Sequence, residues 1–199
     1  MPTEPDALVL VHDYLTQRGG AERVVDVVAR AFPRAPLLTS LYEPSSTFEG
    51  FASHVVRTGI LNRLPLLRRH HRLALPLLAP WFSSQVVRAD VVFASSSGWA
   101  HEVRTDGRLV VYCHAPARWL YQSERYLRST GAPSTAKTAG RLALAVLAPP
   151  LRAADRAAAR RADAYLANST ATAALVEELY GRSAEVLHPP PGLVPGGAE

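Results

Sequence analysis

A doubly wound, mainly parallel α/β sheet is what this sequence predicts, and three observations predict it. Short apolar runs recur along the chain: LVLV from Leu8 to Val11, DVVFAS from Asp90 to Ser95, RLVVYC from Arg108 to Cys113 and DAYLA from Asp163 to Ala167. Helical stretches separate them, and strands that alternate with helices imply parallel pairing through crossovers. The first run leads through Gly19-Gly20 into a stretch with Val24, Val25, Val27 and Val28 on its apolar side. Strand, glycine turn and helix together aim a helix N-terminus, with its free N–H groups, at an anion. Finally, no break in composition divides residues 1–188, so one domain is expected there, followed by a linker over 189–199.

Beyond the first helix, Pro33 and Pro36 punctuate, Leu37–Tyr42 is expected as a second buried strand, and Glu43–Ser46 as a loop. His54–Arg57 is a weak third strand carried by β-branched Val55 and Val56. From Arg57 to Phe82 aliphatic residues mix with Arg63, Arg68, Arg69 and Arg72, while Pro65, Pro76 and Pro80 cut the segment into short helices. Its basic, Leu-rich, Trp-bearing composition suits a membrane interface; ordinary amphipathic helices packed on the sheet account for it equally well. Helix is expected over Arg118–Leu127, ended by Gly131-Ala132-Pro133, and over Ser134–Ala162 with an interruption at Pro149-Pro150. Ser169 is a good N-cap for a helix over Thr170–Tyr180, which Gly181 closes, and Ala184–His188 is the last strand.

Composition excludes several classes. With 48% hydrophobic and 20% charged residues the chain is that of an ordinary globular protein. The single cysteine, Cys113, rules out an internal disulfide. No apolar run reaches the roughly 18 residues of a membrane span, and no signal-peptide pattern leads the sequence, so a cytoplasmic address is expected. The net charge of +5, almost all arginine, favours an anionic partner. No G-x-S-x-G, Walker or G-x-G-x-x-G pattern occurs, and His70-His71 lack partners at ligand spacing. Hydrolase, P-loop, dinucleotide and metal-centre readings therefore lose support, although the sheet type keeps a nicotinamide oxidoreductase as a distant third reading.

In an open α/β sheet the ligand sits beyond the carboxyl ends of the strands. The residues at those ends here are polar: His12-Asp13, Ser95-Ser96-Ser97, His114 and Asn168-Ser169. His114, restrained by Pro116, is the candidate for acid–base work or for bonding a substrate hydroxyl or phosphate; a structural histidine is the plain alternative. His12 and Asp13 suit a hydroxylated acceptor, with a turn role open for Asp13. Arg118, Tyr121 and Arg125 share one helical stretch that can meet an anion, or stand as solvated side chains.

HDYLTQRGGAERV, SSSGWAHEV, VVYCHAPARWLYQ and ANSTATAALVEELYGRSAEVLHPPP resemble, in order and spacing, the N-terminal half of family 4 glycosyltransferases, closest to bacterial mannosyltransferases of surface-polysaccharide assembly. The resemblance implies a Rossmann-like N-terminal domain of a GT-B fold, with the active site between it and a second domain. It implies retaining transfer from a nucleotide sugar, GDP-mannose being one candidate, with no cofactor and no metal. The N-terminal domain then holds the acceptor, a glycan or lipid-linked sugar, through His12, Asp13, Ser97, Arg118, Tyr121, Asn168 and Ser169. Gly19 and Gly20 resemble the loop facing the donor diphosphate, and His114 resembles the histidine that contacts the transferred sugar. Arg63, Arg68, Arg69 and Arg72 lie in the region resembling the face turned to an anionic membrane. A nucleic-acid partner is not expected.

The family's second domain would begin after Pro189–Pro191, with the residues that grip the donor. The expectation is that these 199 residues alone do not turn over. A non-catalytic glycan-binding module, or a subunit that pairs with a separate donor-domain chain, is the alternative.

Overall fold

In the computed structural model, which describes residues 6–71, 74–122 and 134–191, every strand pairing is parallel. The strands are β1 (Asp6–His12), β2 (Leu37–Thr39), β3 (Val56–Thr58), β4 (Ala89–Ser96), β5 (Arg108–Cys113), β6 (Ala164–Ala167) and β7 (Glu185–Val186). Their order across the sheet is β3-β2-β1-β4-β5-β6-β7. The chain winds outward from β1 in one direction and from β4 in the other. The switch point is the β1–β4 pair, where His12 is in register with Ser95. This is the predicted Rossmann-like sheet, and it puts the crevice where its rule requires.

Alternation along the strands sorts side chains onto two faces. Val9 and Val11 of β1, with Val92 and Ala94 of β4, point into the larger core cluster. Leu10 points the other way and joins Val25 and Ala29 of helix α1 (Gly20–Ala31) and Phe51 in a second cluster, with Phe93 packed against it. The apolar side of α1 is narrower than expected, because Val27 is 45% exposed. The larger cluster is covered by α3 (Leu75–Ser84), α5 (Ser134–Arg161) and α6 (Thr170–Tyr180), with short α2 (Pro65–Arg69) and α4 (Arg118–Tyr121) at its margins.

Several boundaries differ from the sequence-based expectation for local reasons. β2 stops at Thr39 rather than Tyr42, because the Ser40 N–H and hydroxyl both turn to the Asp13 carbonyl. Pro44–Ser46 is one 3₁₀ turn inside the expected loop. α5 runs through Pro149-Pro150 without interruption. Two prolines remove two N–H donors, but the second half is anchored by Asp155, buried Ala158 and Ala159, and the Arg152 bond to the Leu120 carbonyl. α4 is a single turn, Arg118–Tyr121, capped by Gln122; the remainder of the expected Arg118–Leu127 helix and its Gly131–Pro133 stop lie outside the described residues. α6 has the predicted caps: Ser169 Oγ accepts from the Thr172 N–H, and Gly181 closes it at φ +64°. β7 is only two residues long.

Candidate functional site

A cleft of about 950 Å³ opens beyond the carboxyl ends of the strands at the switch point. Asp13, Gly20, Ser97, His114, Arg118 and Asn168 line it among the predicted residues; Glu22, Gln17, Tyr14 and Trp99 line it as well. Pro189 and Pro190 form part of its wall.

Asp13 builds the cleft by organising a loop. Its Oδ2 accepts from the Ser97 N–H at 2.5 Å, and its Oδ1 from Trp99 and Ala100 at 3.1 and 2.6 Å. A carboxylate at the end of β1 thus gathers three amides at the end of β4, directing them away from any ligand. The turn needs Gly98 for two reasons: its φ is +144°, and a Cβ there would lie 3.1 Å from Ala117.

His12 sits behind His114. Its Nδ1 lies 3.0 Å from the Ser95 carbonyl oxygen and 3.2 Å from Ser95 Oγ, and Ser95 Oγ is 2.8 Å from His114 Nε2. On the other side, His12 Nε2 is 3.9 Å from Glu22 Oε1, which also accepts from Gln17 Nε2 at 3.0 Å. Burial opposes charging His12, but the Glu22 carboxylate, with Asp13 adjacent, outweighs it and raises its pKa. Burial likewise opposes ionising Glu22, and the His12 interaction outweighs it, so the carboxyl falls below its ordinary value. Burial, reinforced by repulsion from His12, lowers His114 to about 3. His114 is therefore a neutral imidazole at physiological pH, behind which His12 and Glu22 each favour the charged form of the other.

Gly19 and Gly20 divide the glycine role. Gly19 is an extended N-cap whose added Cβ would strike the Glu22 carboxylate, whereas a Cβ on Gly20 would meet nothing within 4 Å. Gly19 makes room for Glu22, and Gly20 leaves the first turn of α1 open to the cleft. The dipole there favours anions, while Glu22 in that same turn adds a negative charge balanced by His12.

The other predicted residues divide between the cleft, the protein interior and solvent. Asn168 Nδ2 donates to the His114 carbonyl at 3.0 Å, fixing the loop at the end of β5. Ser169 is the α6 cap rather than a cleft residue. The Tyr121 hydroxyl is turned inward, donating to Asp155 Oδ2 at 2.7 Å, and burial drives its pKa upward. Arg118 is exposed at the cleft; Arg125 lies outside the described residues. Arg63 and Arg69 are exposed and away from the cleft. Arg68 is engaged by the protein, donating to Glu43 Oε2 at 3.2 Å and to the Asn62 carbonyl at 2.7 Å; Arg72 lies outside the described residues.

A second buried network has the order of a catalytic triad. Ser96 Oγ is 3.0 Å from His101 Nδ1, and His101 Nε2 is 3.0 Å from Asp155 Oδ1. All three are at most 2% exposed, so no substrate reaches the serine. The network ties the 97–100 loop to α5, the Gly98 N–H donating to Ser96 Oγ.

Sequence reasoning noted Ser95 only as part of a polar strand end, and it missed Glu22. The available signal was position: Glu22 stands two residues past Gly20, in the first turn of the helix aimed at the cleft. A family model described as Glycosyltransferase Family 4 matches residues 18–191. No curated protein and no solved structure matches the chain.

Proposed function

Because the chain belongs to Glycosyltransferase Family 4, we propose that it is the acceptor-side part of a nucleotide-sugar-dependent glycosyltransferase with His114 at the reacting centre. The carrying observation is the placement of neutral His114 in a cleft at the switch point, held from behind by Ser95 and His12. A neutral imidazole donates a hydrogen bond to a sugar hydroxyl without adding a charge that would compete with an oxocarbenium-like transition state. Gly20 leaves the α1 N-terminus open to a donor phosphate. Asp13 and Asn168 shape the acceptor side through the loops they hold, and Ser97 and Arg118 offer direct contacts. Mannosyl transfer to a glycan or lipid-linked acceptor is the specific form of the proposal, and retention of configuration goes with it.

The donor grip belongs to a second domain, on the same polypeptide or on a partner chain. The test is transfer of labelled sugar from GDP-mannose and other nucleotide sugars to lipid-linked acceptors. It compares residues 1–199 alone with the same residues joined to a donor domain. Transfer is expected only with the donor domain and is lost in His114→Ala. Turnover by residues 1–199 alone overturns the half-site reading, and full activity of His114→Ala overturns the role of the histidine. Binding of a glycan without transfer under any pairing would favour the binding-module reading.

The exposed side chains of the 60–77 segment favour, as part of this proposal, contact with an anionic membrane. Ile60 and Leu66 are 69% and 61% exposed, Leu64 and Leu77 are also exposed, and Arg63 and Arg69 stand among them. Apolar side chains that enter the interface beside arginines that meet lipid headgroups match the physics of peripheral binding. Among the described residues no helix is long and apolar enough to cross a membrane. Sedimentation with phosphatidylglycerol vesicles is expected to fall strongly in Arg63→Ala/Arg69→Ala and in Ile60→Ser/Leu66→Ser. Binding unchanged in both sets refutes the docking face.

A further inference from the structure

The buried groups behind His114 form a chain, hydrogen-bonded from His12 through Ser95 to His114, with Glu22 beside its far end at ion-pair rather than hydrogen-bond distance. A carbonyl oxygen only accepts, so His12 Nδ1, 3.0 Å from the Ser95 carbonyl, carries a proton. That N–H also points at Ser95 Oγ, 3.2 Å away, and occupies a lone pair of the hydroxyl. The hydroxyl keeps a second lone pair, but its own hydrogen is buried. With His12 Nδ1 a donor, His114 Nε2 at 2.8 Å is the acceptor within its reach among the described residues, so the hydrogen is satisfied by turning there. An Nε2 that accepts leaves the proton of a neutral ring on Nδ1, for which no protein partner stands among the described residues. At the far end, His12 Nε2 faces Glu22 Oε1 at 3.9 Å, and Gln17 Nε2 holds that same oxygen.

We propose that Glu22, His12 and Ser95 are positioning residues that present His114 to the cleft as a neutral imidazole with its proton on Nδ1. The site then meets its ligand with a hydrogen-bond donor of fixed direction, suited to a hydroxyl or other neutral acceptor oxygen. The inference rests on the reading of His114 as the group that meets substrate. It adds which nitrogen does so and which residues decide it.

Charge placement works in the same direction. Within the chain of groups the protonated form is favoured at His12, 3.9 Å from Glu22, and disfavoured at His114, which burial and repulsion from His12 hold down to about 3. The other titratable or charged groups facing this chain are Asp13 at the end of β1, Tyr112 of β5, whose ring centroid is 5.0 Å from that of His114, and Arg23 and Arg118 at the cleft. The Asp13 carboxylate favours a charged His12. The Tyr112 phenol is raised above its ordinary value by burial and stays neutral.

The experiment is two-bond ¹⁵N–¹H correlation spectroscopy of the full chain labelled at histidine nitrogen, with the His114 signals identified by their loss in His114→Gln. In the wild type a pyrrole-type Nδ1 and a pyridine-type Nε2 are expected, unchanged between about pH 5 and 8. In Ser95→Ala the Nε2–H tautomer is expected to rise to half or more of the population. In Glu22→Gln, which removes the counter-charge of His12, the His12 signals are expected to titrate at lower pH than in the wild type, while burial keeps His114 neutral throughout that range. Should Glu22→Gln fail to fold, Ser95→Ala tests the same chain by deleting one hydroxyl, its fold checked by amide spectra. A wild-type His114 protonated on Nε2, or a Ser95→Ala spectrum identical to that of the wild type, overturns the relay. These readouts do not involve sugar transfer, so an inactive protein leaves them interpretable, and a failed relay leaves the transfer assay unaffected.

Discussion

Replacing Asp13 by asparagine tests the idea that one buried carboxylate assembles the cleft. Its two oxygens accept from the amides of Ser97, Trp99 and Ala100. Asparagine keeps one acceptor oxygen and substitutes an NH₂ for the other. If the oxygen stays with Trp99 and Ala100, the NH₂ confronts the Ser97 N–H. One charge-assisted bond, about 1.5–3 kcal/mol, disappears, and a buried donor is left unmatched at about 1–3 kcal/mol more. Removing a charge from a site only 2% exposed offsets part of this. A net loss of about 3 kcal/mol is expected, inside the stability of an ordinary domain, so the variant folds. Urea unfolding monitored by circular dichroism measures it, with the slope unchanged. Amide exchange at Ser97, Trp99 and Ala100 should accelerate more than exchange in the β5 core. A loss under about 0.5 kcal/mol, with the three amides as protected as before, would refute the reasoning and leave the loop held by packing alone.

Gly98→Ala should lower stability by about 1–3 kcal/mol, because φ +144° and the 3.1 Å approach of Ala117 both oppose a Cβ. Gly20→Ala, where nothing lies within 4 Å, should leave stability unchanged or slightly raised; paired thermal melts check both. Ser169→Ala removes the α6 cap and should reduce stability by about 1 kcal/mol in denaturant titration, since Ser169 Oγ accepts from the Thr172 N–H. The pH profile should carry the mark of His114. Its folded pKa, lowered to about 3, lies below the unfolded value near 6.5, so the unfolded chain binds more protons between them. Stability is lost as pH falls through that window, and His114→Gln should flatten the acid limb. His12 acts oppositely, its raised pKa giving stability that is present below about 6.5 and lost as pH climbs through the folded value. The two limbs are separated by measuring His12→Gln alongside.

Local chemistry explains why parts of this molecule were readable. β4 and β5 carry the unbroken runs Val91–Ala94 and Leu109–Cys113, buried or half-buried on both faces, and such runs declare themselves without any partner. The α6 caps were equally plain, because Ser169 and Gly181 act on amides a few residues away. Tyr121 shows the opposite case. On paper it shares a helical stretch with Arg118, yet its hydroxyl reaches Asp155, 34 residues later, and leaves the cleft. The helix through Pro149-Pro150 was unreadable for a related reason: propensity argues for a break, and contacts made by its distant second half overrule it.

The sequence by itself determined the sheet type, the edge on which polar residues collect and the prominence of His114. Those properties depend on hydrophobic period and on the direction in which parallel strands run. Only tertiary structure decided what each polar group does there. Asp13 acts through amides more than 80 residues away, and Glu22 reaches His114 through His12 and a serine of another strand. A hydrogen bond is specified by distances of a few tenths of an ångström. Those distances exist only once β1 and β4 lie side by side and α1 closes over their ends.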